Sequence, residues 1–120
     1  MKKTVDPGRS KRGRKSRNKG KVGEREVANL LKSYGYEARR GQQFHGGGDS
    51  PDVVHSMEGF HIEVKYVEKL GLYPAMEQAD GDKKPEEASI VFHRRSRKPW
   101  VVVLYAKDFL DLMEELYDDD

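Results

Sequence analysis

Phe60-His61-Ile62-Glu63-Val64-Lys65-Tyr66 alternates without a break between apolar and chemically active side chains. Successive strand residues point to opposite faces, so Phe60, Ile62, Val64 and Tyr66 form one face while His61, Glu63 and Lys65 share the other. An acid and an amine thus stand side by side on one surface. Just upstream, Asp52-Val53-Val54-His55 reads as another strand, and Ser56-Met57-Glu58-Gly59 as the turn of a hairpin joining the two. That pairing predicts Asp52 close to the Glu63 face.

Working outward, Val27, Leu30, Leu31 and Tyr34 recur at helical spacing, which predicts a helix from about Val22 to Tyr34, ended by Gly35. At about 100° per residue, Glu24 lies roughly 70° from the centre of that apolar stripe, at its edge. Glu26 flanks the stripe as well, and helical geometry alone does not choose between them. Tyr36 to Arg40 is a short strand, and Gly41 to Pro51 a glycine-rich connector without the ending of a phosphate-binding loop. Beyond Tyr66, a polar helix near Pro74 to Asp80 precedes strands at Ala88 to His93 and Trp100 to Tyr105, joined by the basic turn Arg94 to Pro99. A last helix, about Lys107 to Tyr117, carries Phe109, Leu112, Met113 and Leu116 on one face. The order α-β-β-β-α-β-β-α predicts an α/β fold, a mixed sheet flanked by helices.

A chain of 120 residues supports one compact core. Cysteine is absent, which excludes disulfides, thiol nucleophiles and Cys-based zinc sites and fits a reducing compartment. The basic start is followed by no apolar run of signal or membrane-spanning kind, so the expected location is the cytoplasm. The formal charge of +2 conceals an asymmetry, because residues 1–21 hold ten Lys/Arg against one acid and the remainder thirteen against twenty. Residues 1–20 are expected to be a disordered basic arm and 21–120 the folded domain, since Lys, Arg, Gly and Ser offer little apolar surface to offset ordering entropy. The cations Lys11, Arg12, Arg14, Lys15, Arg17, Lys19 and Lys21, with Arg94, Arg95, Arg97 and Lys98 of the turn, suit a polyanion such as DNA. A solvated tail, a localisation signal and a solvated hairpin tip are the plain alternatives for the same residues.

Asp52 and Glu63, with a backbone carbonyl such as that of Val64, make a hard oxygen cage of the kind Mg²⁺ or Mn²⁺ prefers. A cation there can stabilise charge on a phosphoryl oxygen and activate water, and Lys65 adds a point charge beside the attack. Singly, Asp52 is explained as a turn residue, and Glu63 with Lys65 as a solvent-facing pair. Only their joint occurrence points to chemistry. Of the histidines at 45, 55, 61 and 93, only His61 shares the active face, and Trp100 reads as a core aromatic.

Pro51-Asp52, a ten-residue spacer and Glu63-Val64-Lys65 resemble the signature of the PD-(D/E)XK nuclease superfamily. Glu24 within Gly20-Lys21-Val22-Gly23-Glu24-Arg25, Gln78 within Glu77-Gln78-Ala79, and the strand opened by Trp100 extend the resemblance, from about Gly20 to Leu116, to archaeal-type and phage Holliday junction resolvases. Gln42 and Gln43 depart from it, standing where the archaeal resolvases carry a serine. The resemblance implies a restriction-endonuclease-like fold, Mg²⁺-dependent cleavage of branched DNA and a homodimer. It implies that Glu24, Asp52 and Glu63 hold or organise the metal, that Lys65 assists the attacking water, and that Gln78 supports the site or contacts the DNA backbone. A nuclease of the same superfamily acting on other DNA or on RNA, and a non-catalytic nucleic-acid-binding protein, are the competing readings.

Overall fold

The computed structural model of the chain describes residues 7–41 and 52–118. The elements come in the expected order: helix α1 (Pro7–Ser33), strands β1 (Ala38–Arg40), β2 (Val53–His55) and β3 (Phe60–Tyr66), helix α2 (Leu72–Asp82), strands β4 (Ala88–Arg94) and β5 (Val101–Val103), and helix α3 (Ala106–Tyr117). This is a mixed α/β architecture of the restriction-endonuclease type. The glycine-rich connector, with Gln42, Gln43 and Asp49, lies outside the described residues. No helix among the described residues is long and apolar enough to cross a membrane.

The alternation of β3 builds the layers. Ile62 and Val64 join Val27, Ala28, Leu31, Ala38, Val53, Ile90 and Phe92 in one core between α1 and the sheet. On the opposite face, Ala75, Met76 and Ala79 of α2 pack with Val91. β3 and β4 pair in parallel, Ile62 facing Ile90 and Glu63 facing Val91, and α2 is the crossover that a parallel pair requires. β5 adds antiparallel to β4.

Two expectations are corrected. β2 and β3 do not pair as a hairpin: β2 pairs antiparallel with β1, and β3, β4 and β5 form a separate sheet. Ladder bonds to β1 satisfy β2, and on the edge of β3 a side chain, Asp52, accepts the Val64 N–H at 2.9 Å. Gly59, at φ 88°, supplies the left-handed turn that redirects the chain between them. The second correction is the start of α1, at Pro7 rather than near Val22, so residues 7–20 belong to the helix. Proline suits a first helical turn and Lys and Arg are good helix formers. Lys19 also ties the helix to the body through Glu68 and Ser96, both at 3.1 Å.

The end of α1 is as expected, with Gly35 at φ 92° and the Tyr36 N–H returning to the Leu31 carbonyl at 3.2 Å. Gly23 lies where α1 packs closely on the sheet, and a Cβ there would stand 2.9 Å from Tyr66 Cβ. Trp100 is a core aromatic, edge-on to Tyr66 with ring centroids 5.9 Å apart and its indole N–H donating to Glu26. α3 is amphipathic yet buries no residue, and leaves Phe109, Leu110 and Leu116 exposed.

Candidate active site

The α2-facing side of β3 carries the candidate chemistry. His61 and Glu63 are buried there, Glu63 being only 3 % exposed, and Lys65 is half-buried at the open end of the row. Lys65 Nζ donates to Gln78 Oε1 at 2.9 Å, which sets the amine beside the acids and assigns Gln78 a holding contact. Asp52 arrives from the start of β2 and is fixed by the Val64 N–H. Burial pushes its carboxyl up to about 7, against the lowering effect of the Val64 N–H, and the charges of Glu63 and Glu24 push it further the same way. Three carboxyl groups therefore share one poorly hydrated spot.

Glu24 reaches this spot from α1 and accepts Arg40 Nε at 2.8 Å. Glu26 faces elsewhere, holding the Arg94 guanidinium and the Trp100 indole. Tertiary packing thus separates two acids that helical geometry left equivalent. Arg40 was not foreseen, and its only signal was an extra cation at the end of a short strand.

Asp82 was also missed. It closes α2 four residues after Gln78, and residues four apart share a helix face. Ligand atoms of His61, Glu63 and Asp82 all lie within 4.8 Å of one another, and His61 Nε2 stands 3.4 Å from Glu63 Oε2. That contact and the charges of Glu63, Glu87 and Asp82 hold the imidazole above its ordinary pKa against the opposing effect of burial. A Gln-to-Asp step of one helical turn, facing a His-to-Glu step of one strand repeat, was the signal available in the sequence.

These donors fit a hard divalent cation. Asp52 and Glu63 offer carboxylate oxygens, Glu24 adds a nearby charge, and no Lys or Arg among the described residues forms an ion pair with Asp52 or Glu63. Buried carboxylates with no Lys or Arg beside them, and only the His61 imidazole against Glu63, are costly, and a bound cation lowers that cost. A cleft of about 570 Å³ opens alongside, lined by His55, His61, Asp82 and Glu87 among others. A larger one, about 710 Å³, is lined by residues including Asp80, Tyr105, Asp108 and Asp111 and contains none of the expected site residues.

The candidate DNA contacts divide by environment. Arg14, Lys15, Arg17 and Lys21 on α1 and Arg95, Arg97 and Lys98 on the β4–β5 turn are exposed. Arg97 takes left-handed backbone at φ 66° within that turn. Arg94 and Lys19 are engaged internally, Arg94 with Glu26 and the Lys98 carbonyl, Lys19 with Glu68 and Ser96, and both lie over the Tyr66 ring. The side chains of Lys11 and Arg12 lie outside the described residues.

A family model of archaeal Holliday junction resolvases matches residues 15–112. Comparisons with curated proteins and with solved structures find no match. The matched span includes the whole of the Glu24, Asp52, Glu63, Lys65 and Gln78 set.

Proposed function

Because this chain belongs to the archaeal Holliday junction resolvase family, we propose that it is a divalent-metal-dependent endonuclease that cuts branched DNA as a homodimer in the cytoplasm. The observation that carries this reading is the meeting of Asp52 and Glu24, both half-buried, with the buried Glu63 beside Lys65. Asp52 and Glu63, with the Val64 carbonyl, would hold Mg²⁺ or Mn²⁺, and Glu24 would organise the set while keeping Arg40 in place. When bound, the ion supplies charge stabilisation at the phosphoryl oxygen and a more acidic water. Lys65, oriented by Gln78, places a cation where negative charge develops.

DNA would lie along the exposed cations of α1 and of the β4–β5 turn. The Lys19 contact to Ser96 joins these two basic segments into one surface. In this reading residues 1–20 form the basic arm and 21–120 the nuclease domain. A second copy would cover the exposed apolar side chains of α3 and β5, namely Phe109, Leu110, Leu116, Val101 and Val102, and present a second active site to a second strand.

The test is a cleavage assay on a labelled four-way junction beside a linear duplex of equal length, with Mg²⁺, with EDTA, and with Glu63→Ala. Expected are junction-selective cutting, none in EDTA, and a loss of at least about 100-fold in the variant, as for removal of a group that stabilises the transition state. Equal cutting of both substrates would reassign the specificity to other DNA. Binding without any cut product, unchanged in Glu63→Ala, would leave a non-catalytic DNA-binding protein.

A further inference from the structure

Beside the Asp52 set, and sharing Glu63 with it, the chain assembles a different donor set. β3 presents His61, Glu63 and Lys65 on one face. α2 runs against it, so that Gln78 meets Lys65 at 2.9 Å, while Asp82, one turn further on, meets His61 and Glu63 with all ligand atoms within 4.8 Å. Metal–ligand bonds of roughly 2.0–2.2 Å place donors on opposite sides of an ion just over 4 Å apart. The three groups therefore need only a small contraction to surround one.

Charge balance also points to a cation. Glu63 is 3 % exposed and His61 6 % exposed, and neither Glu63 nor Asp82 forms an ion pair with a Lys or Arg among the described residues. The neighbouring cleft, lined also by Glu58, Glu86 and Glu87 against the one cation Lys84, connects the group to solvent. The imidazole decides the class of ion. Mg²⁺ and Ca²⁺ take oxygen donors, whereas a nitrogen donor among carboxylates suits a borderline transition ion.

We propose that His61, Asp82 and one oxygen of Glu63 form a second divalent-cation site, selective for Mn²⁺, Co²⁺ or Zn²⁺ over Mg²⁺, adjoining the Asp52 site across the shared Glu63 carboxylate. It deepens the catalytic reading and rests on it only through Glu63. Its occupancy would place a second positive charge in the groove between β3 and α2, and make the groove's response to transition ions differ from its response to Mg²⁺.

The test is a titration of the full chain with Mn²⁺ near neutral pH, the free ion followed by electron paramagnetic resonance. The parent is expected to take up two ions, Asp82→Asn one and Asp52→Asn one. Excess Mg²⁺ should displace one of the parent's two. Asp82 is exposed at the end of α2, so its replacement leaves the core intact, and Co²⁺ gives an independent readout. The visible Co²⁺ spectrum of an imidazole-ligated ion should persist in Asp52→Asn and vanish in Asp82→Asn. Two Mn²⁺ ions retained by Asp82→Asn would overturn the second site. So would a single ion in the parent that Asp52→Asn abolishes, which leaves the catalytic site standing. No bound ion in the parent would overturn both.

Discussion

Asp52 is held between opposing forces, and its balance is measurable. Burial raises its pKa, the Val64 N–H lowers it, and Glu63 and Glu24 raise it again, to about 7 from an ordinary 3.8. A carboxyl whose folded value exceeds its unfolded value stays protonated in the folded chain after the unfolded chain has lost its proton. Its stabilising contribution is therefore complete below pH about 4 and is lost as pH rises through about 7. In metal-free buffer, the melting temperature of the parent should fall between mildly acidic and mildly alkaline pH more steeply than that of Asp52→Asn. On the alkaline side the variant should be the more stable, since an amide still accepts the Val64 N–H without carrying charge. Parallel melting-temperature profiles would show that Asp52 is not the titrating group. At this scale the sequence named Asp52, Glu63, Lys65, Gln78 and Glu24, but Arg40 and Asp82 became visible only once separate elements had met.

At the scale of elements, Gly23 controls how closely α1 lies on β3. An added Cβ would meet Tyr66 Cβ at 2.9 Å, the Trp100 ring at 3.3 Å and Val64 Cγ1 at 3.4 Å. Tyr66 Cβ is bonded to the strand backbone and cannot swing away. Gly23→Ala should therefore destabilise the protein by about 1–3 kcal/mol, as overpacking does, despite a gain of up to about 1 kcal/mol in helix propensity. Urea unfolding measures it, and a stabilised variant would show that the helix can lift without cost. Cleavage should fall as well, because Glu24 follows directly on the displaced turn. Helix and strand periods made these elements legible. Which strands would pair was not, because β2 and β3 are adjacent in sequence and each still found a different ladder partner.

At the scale of the whole molecule, charge and apolar surface are segregated. The cations of α1 and the β4–β5 turn adjoin at Lys19 and Ser96, while the body beyond residue 21 is net acidic. Removing residues 1–17 spares the Lys19 anchor and the core that begins near Val27. It should weaken junction binding and flatten the dependence of log K on log salt, roughly in proportion to the number of phosphates that the removed cations neutralise. The melting temperature should hold, and an unchanged salt slope would show that the arm does not touch the DNA. The exposed apolar side chains of α3 belong to the same scale. If a second copy covers them, Leu116→Glu should convert a dimer to a monomer in sedimentation equilibrium, and an unaltered dimer would place the interface elsewhere.

By itself the sequence determined the succession of helices and strands and the two-faced character of Phe60–Tyr66, and it named the candidate acids and amine, because periodicity and residue chemistry are local properties. Tertiary structure alone decided that Asp52 reaches β3 through its side chain rather than a strand ladder, that Glu26 turns away to Arg94 and Trp100, and that Asp82 stands beside His61. Those outcomes depend on competition for backbone partners and on the approach of distant elements. Neither leaves a periodic trace in the chain.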